Sequence, residues 1–326
     1  MSANRRAGTN MLDTIRKKRG NAPCVEYFKS LQDSESLRLV NDPGLTFASF
    51  FVLMPVIQEK LRAESLSARD LTAANLCNTI LSSKKANGNL YRPAYNENTH
   101  EALRWIFLTG ADADGLSEDF DHILDISAGI LTKKYHDADI LPRLVELVFS
   151  RGRRDAYLHD LAWAFFQSHD PTALKLAAEY LRSGNEKDAK LARSLLHLNL
   201  DSDNPRSRRE LYNNYLHWLS ENNPYLYFTS ENFNETNQPN VCSVDLSAKY
   251  LYRKISPRDH KPSTPLTEME RNCLACFLNA PDEEKEFLAR FSQKARAKNP
   301  EYWNRWIRYP LEKQIEAAHN GGEGEV

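Results

Sequence analysis

Glycine is scarce in this chain, 12 in 326 residues. Folds made of short strands need glycine at left-handed turn positions, so its scarcity argues against a sheet-rich architecture. Cysteine is scarcer, and its five residues are scattered: Cys24, Cys77, Cys242, Cys273 and Cys276. An odd, dispersed set fits reduced thiols in a cytosol and excludes a disulfide scaffold. No apolar run reaches the ~20 residues that cross a bilayer, and the basic residues near the start are not followed by the apolar stretch of a secretory signal. The expectation is a cytoplasmic chain without membrane insertion. Charge of one sign is also missing. Lys+Arg number 43 and Asp+Glu 44, a formal net charge of −1, so no global field draws nucleic acid or an anionic membrane. Finally, no nucleophile stands with its base, no phosphate loop occurs, and no two histidines have metal spacing.

What the chain does contain is helical periodicity. Hydrophobic residues make up 41% and charged residues 27%, the values of a globular protein with a buried core. Two adjacent stretches, 139–167 and 172–200, read as one helix-turn-helix unit written twice at an offset of 33 residues. Identical residues fall at Leu141/Leu174, Glu146/Glu179, Ser150/Ser183, Asp155/Asp188, Ala156/Ala189 and Leu158/Leu191. In the first helices Ile140, Leu141, Leu144, Leu147 and Val148 keep the same three-and-four spacing as Ala173, Leu174, Ala177, Tyr180 and Leu181. A hairpin with one apolar stripe per helix cannot cover itself, so neighbours must stack on it. The expected fold is all-α, with stacked antiparallel helical hairpins of α-solenoid-like texture followed by a smaller C-terminal helical module. That texture is similar to HEAT and tetratricopeptide arrays, although the tetratricopeptide pattern of Trp, Gly, Tyr, Ala and Pro positions is absent and no family is assigned.

Punctuation sets the expected segments. Residues 1–23 read as a basic flexible arm, 24–221 as a helical-repeat body, 222–244 as an Asn-rich aromatic connection, 245–319 as the C-terminal module and 320–326 as a disordered acidic tail. Within the body, Pro55 should kink or divide a helix, Asn87 to Asn98 should be a loop, and Gly184 sits where a helix end wants a left-handed residue. Asp170-Pro171, Ser117 and Thr267 with Glu270 carry the signatures of helix starts. Periodicity gives about twelve helices.

Four groups of residues are candidates for chemistry. The segment from Tyr302 to Pro310 is the densest in aromatics and arginine, which makes Trp303, Arg305, Trp306, Arg308 and Tyr309 candidates for partner contact; docking of the terminal helix onto its neighbours competes as an explanation. Arg16, Lys17, Lys18 and Arg19 have spacing suited to nucleic-acid phosphates, and further arginines at Arg151, Arg153, Arg154, Arg206, Arg208 and Arg209 could add a basic ridge. Cys273 and Cys276, with Cys242 and His260, offer four soft zinc ligands; the position of the CxxC inside an amphipathic helix favours buried thiols instead, and no cofactor or metal is expected. The stretch holding Asp119, Asp121, His122 and Asp125 is acidic, and first-turn acids compensating a helix dipole explain it most simply.

The function that follows from these readings is a non-enzymatic intracellular scaffold or adaptor that binds a protein partner. Two alternatives stand beside it. One is nucleic-acid binding through the arm and the arginine-bearing turns. The other is an enzyme whose polar residues converge only in three dimensions, with a pocket lined by His122, Asp125 or the Asn-rich connection as its sign.

Overall fold

A computed structural model describes residues 10–85, 96–199, 204–229, 231, 235–236 and 239–320. It is mostly helical, 72% helix, with seventeen α-helices and one two-stranded sheet among the described residues. The chain forms two compact units, Met1–Ser168 and His169–Val326. The division falls between the two copies of the 33-residue unit.

The first unit holds α1 (Met11–Arg19), α2 (Asn21–Ser30), α3 (Asp33–Val40), α4 (Phe47–Lys60), α5 (Ala68–Lys85), α6 (Glu97–Gly110), α7 (Glu118–Lys133), α8 (Leu141–Arg153) and α9 (His159–Phe166). Its core is aromatic: Phe47 stacks on Phe120 at 5.3 Å and meets the edge of Trp105 at 5.7 Å. Here Gly110 is required by close approach, since a Cβ at that position would lie 2.8 Å from Leu124 Cδ2 and 3.1 Å from Phe47 Cδ1.

Residues 10–23 correct the expectation of a flexible arm. They form α1 and the start of α2, joined by Gly20 at φ +97°, a left-handed value that suits glycine. Asn10 caps α1 by accepting from the Leu12 backbone N–H and reaches Leu39 O at 2.9 Å. Buried Asp13 accepts 3.0 Å from the Thr46 N–H and 2.6 Å from the Ser49 hydroxyl, and Leu12 is fully buried. The basic residues occupy the exposed side of a helix whose anchors are few, which is why composition alone suggests mobility. Residues 1–9 lie outside the described residues.

Two further differences have similar causes. Helix α4 runs through Pro55 without dividing, because Leu53, Met54, Val56 and Ile57 on either side are all buried while the proline is exposed. The loop expected over Asn87 to Asn98 falls largely outside the described residues, and α6 already starts at Glu97, capped by Asn96.

The second unit holds α10 (Pro171–Glu179), α11 (Glu186–Leu195), α12 (Pro205–Asn222), β1 (Leu226–Phe228), β2 (Cys242–Val244), α13 (Leu246–Tyr250), α14 (Glu268–Leu278), α15 (Asp282–Lys298), α16 (Pro300–Trp306) and α17 (Leu311–His319). Strands β1 and β2 are antiparallel, pairing Leu226 with Val244, Tyr227 with Ser243 and Phe228 with Cys242. Three residues per strand are too few to print an alternating pattern, so this hairpin replaces part of what reads as an irregular connection. Helices α13 to α17 enclose a core in which Tyr250 stacks on Phe277 at 4.4 Å and Trp306 packs on Phe291 at 5.0 Å.

The stretches 139–167 and 172–200 each form a helical hairpin. Helix α8 packs on α9, and α10 with its 3-10 extension Tyr180–Arg182 packs on α11. Gly184 is not left-handed. Left-handed residues at the ends of these helices and of α7 are instead Asp155, after α8, and three histidines. His136 and His169, again 33 apart, have φ 50° and each precedes an aspartate that caps the next element: Asp137 accepts from Asp139 N–H and Asp170 from Thr172 N–H. His197, at φ 54°, follows α11.

Candidate functional site

The first unit contains a polar cleft of about 350 Å³ between α7, α9 and the turn before α7. Its wall includes Lys84, Asp114, Glu118, Asp121, His122, Asp125, Arg151, Arg154, Tyr157 and Asp160. Helix α7 supplies most of the acids because Asp121, His122 and Asp125 follow its capped first turn, where Ser117 accepts from the Phe120 N–H. Helix α8 sends Arg151 into the floor from its last turn, where a cation also complements the helix dipole.

Arg151 organises this floor. Its guanidinium lies 2.7 Å from Asp114 Oδ1, 3.0 Å from Asp125 Oδ2 and 3.0 Å from the Tyr157 carbonyl, and Arg151 is 3% exposed. Arg154 pairs with the second oxygen of Asp114. Asp125 Oδ1 is 2.8 Å from Arg151 Nη2 but outside hydrogen-bonding geometry, so this buried oxygen accepts no hydrogen bond. Burial pushes the Asp125 carboxyl up to about 7, and the Asp160 and Asp114 carboxylates add to that shift while Arg151 opposes it. Burial, followed by Lys84, lowers His122, so its imidazole favours the neutral form. Asp121, which accepts 2.7 Å from the Gly115 N–H, is raised by burial. Around one cleft stand a carboxyl poised near neutrality, a neutral imidazole and the Tyr157 hydroxyl, which donates 3.3 Å to Asp160. Groups of this kind can exchange protons with a polar ligand.

The second unit carries a larger groove of about 650 Å³, lined by Glu268, Met269, Asn272, Cys273 and Cys276 from α14 and by Ile307, Arg308, Tyr309 and Pro310 from the turn after α16. Helix α16 stops at Trp306, and Pro310 stands at the N-cap of α17. Of the sequence candidates for partner contact, the structure separates two kinds. Trp303 and Trp306 are core residues, 6% and 0% exposed; their indole N–H groups donate to Ser292 Oγ at 2.7 Å and Gln314 O at 3.2 Å. They are therefore not surface contacts, and α16 docks onto its neighbours by them. Arg305, Arg308 and Tyr309 are exposed, and the last two border the groove.

The basic residues are dispersed. Arg16 donates 2.9 Å to Ser49 Oγ, whereas Lys17, Lys18 and Arg19 are exposed on α1. Arg151 is buried and Arg154 is paired with an acid. Arg206 pairs with Glu210 at 3.0 Å, and Arg208 is buried against Ser183 O at 3.2 Å. Within each unit, Arg151, Arg154 and Arg206 have acidic partners.

Cys273 and Cys276 lie in α14. His260 pairs with Asp245 at 2.8 Å and stacks on Tyr227 at 3.9 Å, and Cys242 lies in β2. No group of three His, Cys, Asp or Glu side chains spaced to hold a metal occurs among the described residues. Nor is any helix among them long and apolar enough to cross a membrane. Comparison with protein-family models, curated proteins and solved structures finds no match to this chain.

The sequence named His122 and Asp125 but not their companions. Tyr157, Asp160 and Arg151 come from α8, α9 and the turn between them, and only the packing of α7 on α9 gathers them. Met269, which joins the two cysteines in the groove, was marked by one signal that sequence reading missed: it precedes them on the same helical stripe, at i, i+4 and i+7.

Proposed function

We propose that this protein is an adaptor of stacked helical hairpins, and that its C-terminal unit docks a protein partner in the groove between α14 and the turn after α16. One observation carries the reading: a 650 Å³ groove with an apolar floor of Met269 and Ile307 is rimmed by Tyr309, which is 39% exposed, and by exposed Arg308. An aromatic and an arginine at the edge of an apolar recess are the residue types that anchor protein contacts. The occupant suited to it is a partner segment offering an apolar side chain next to a carboxylate, the latter facing Arg308. Affinity purification from the native cell with nuclease present tests this. A partner captured by the wild-type chain and lost with Tyr309→Ala and Arg308→Glu supports it, and retention by both variants overturns it.

A second reading is favoured by the cleft of the first unit, where Asp125 and His122 of α7 share a wall with Arg151, Tyr157 and Asp160 from α8, α9 and the turn between them. Thermal-shift screening of small polar compounds tests it, with loss of any stabilising compound in Asp125→Asn and His122→Ala as the supporting result.

A further inference from the structure

Helix α14 brings three sulfur-bearing residues to the wall of one cavity. Met269, Cys273 and Cys276 stand at i, i+4 and i+7 and all three line the groove. The thiols are also linked through the neighbouring turn. Cys273 Sγ donates 3.3 Å to the Ile307 carbonyl, the Gln314 amide donates 3.3 Å to the same carbonyl, and the same amide lies 3.9 Å from Cys276 Sγ. One carbonyl and one amide thus tie together two sulfurs that are a turn apart on the helix.

Donor chemistry selects the occupant. Zinc wants four ligands in a tetrahedron, and the described residues bring no third thiolate, imidazole or carboxylate to Cys273 and Cys276. Cu(I) is satisfied by fewer, softer donors, and thiolate with thioether is the set it prefers. We propose that Met269, Cys273 and Cys276 form a Cu(I) site on the floor of this groove. This goes beyond the docking of a protein partner and does not depend on it.

Metal binding converts the thiols to thiolates. Each S–H that becomes a Cu–S bond releases one proton to solvent, with no change in oxidation state at copper or sulfur. Because each thiol must give up its proton to bind, retention of copper should strengthen as pH rises. Cys276 is only half-buried, which gives the metal an approach from the groove.

The test uses the full chain, reduced and anaerobic, loaded with Cu(I) and challenged with a chromophoric Cu(I) chelator. The expected result is one copper withheld per chain, lost to the chelator in Cys276→Ser and in Cys273→Ser, and held less well in Met269→Leu. X-ray absorption of the loaded chain should show sulfur neighbours only. Met269→Leu keeps volume and apolarity, so it reports on the thioether even where Cys273→Ser disturbs folding. Cys242→Ser should retain copper. Equal retention by Cys276→Ser and wild type, loss in Cys242→Ser, or nitrogen and oxygen neighbours at the metal would each overturn the site.

Discussion

Arg151 Nη1 donates to Asp125 Oδ2 at 3.0 Å with both side chains buried, and the same guanidinium holds Asp114 at 2.7 Å. Removing the shared cation leaves two carboxyl groups in the interior. Arg151→Leu is expected to cost about 3–5 kcal/mol in urea unfolding, because breaking the buried pair leaves Asp125 without its cation and Asp114 with Arg154 alone. A loss under about 1 kcal/mol would mean that solvent already reaches this floor.

Stability should carry the signature of Asp125 in its pH dependence. The folded state binds the proton more tightly than the unfolded chain, with a carboxyl at about 7 against an ordinary value of 3.8. Its contribution is therefore fully present below the ordinary value and lost as pH rises through about 7. Unfolding free energies of wild type and Asp125→Asn, compared from about pH 5 to about pH 8, should diverge, with wild type losing more on the alkaline side. Parallel profiles would show that Asp125 is ionised throughout.

Gly110→Ala should destabilise the first unit even though alanine is the better helix former. The added Cβ would meet Leu124 Cδ2 at 2.8 Å, and Leu124 is fully buried with nowhere to retreat. The overpacking cost of about 1–3 kcal/mol exceeds the propensity gain of about 1 kcal/mol. An increase in melting temperature would contradict the close approach.

Trp306 and Tyr309, three residues apart, should respond in opposite ways. Trp306→Ala empties a core position and is expected to cost about 3–5 kcal/mol. Tyr309→Ala is expected to stay within about 0.5 kcal/mol of wild type while losing the captured partner. Thermal melts of both variants beside the capture assay separate packing from contact.

Deleting residues 1–23 should lower the melting temperature, since it removes Leu12 from the core and leaves the Thr46 N–H and Ser49 hydroxyl without Asp13. A shortened chain as stable as the full one would restore the picture of a passive arm.

How much of this was legible depends on the range of the interaction. Caps were legible because they are local: Ser117, Asp170 and the Thr267–Glu270 box each act within three residues, and all start helices. The helical class was legible for the same reason, since periodicity is read within a turn or two. The docking of α1 was not, because Asp13 finds its partners 33 and 36 residues away. The cleft followed the same rule. His122 and Asp125 are neighbours on α7, but Arg151 reaches Asp125 across 26 residues and Asp114 across 37. Trp303 and Trp306 stood out by composition, and only burial shows that they hold α16 in the core.

The histidines at 136, 169 and 197 sit at left-handed helix ends, a conformation that asparagine, aspartate and glycine also tolerate. Where only backbone shape is required, those residue types are interchangeable while the turn survives. Homologues of this chain should therefore be found less by identity than by a spaced syntax. Each hairpin would open with a residue tolerant of positive φ followed at once by a capping aspartate, and the two would recur 33 residues on, as His136-Asp137 and His169-Asp170 do here.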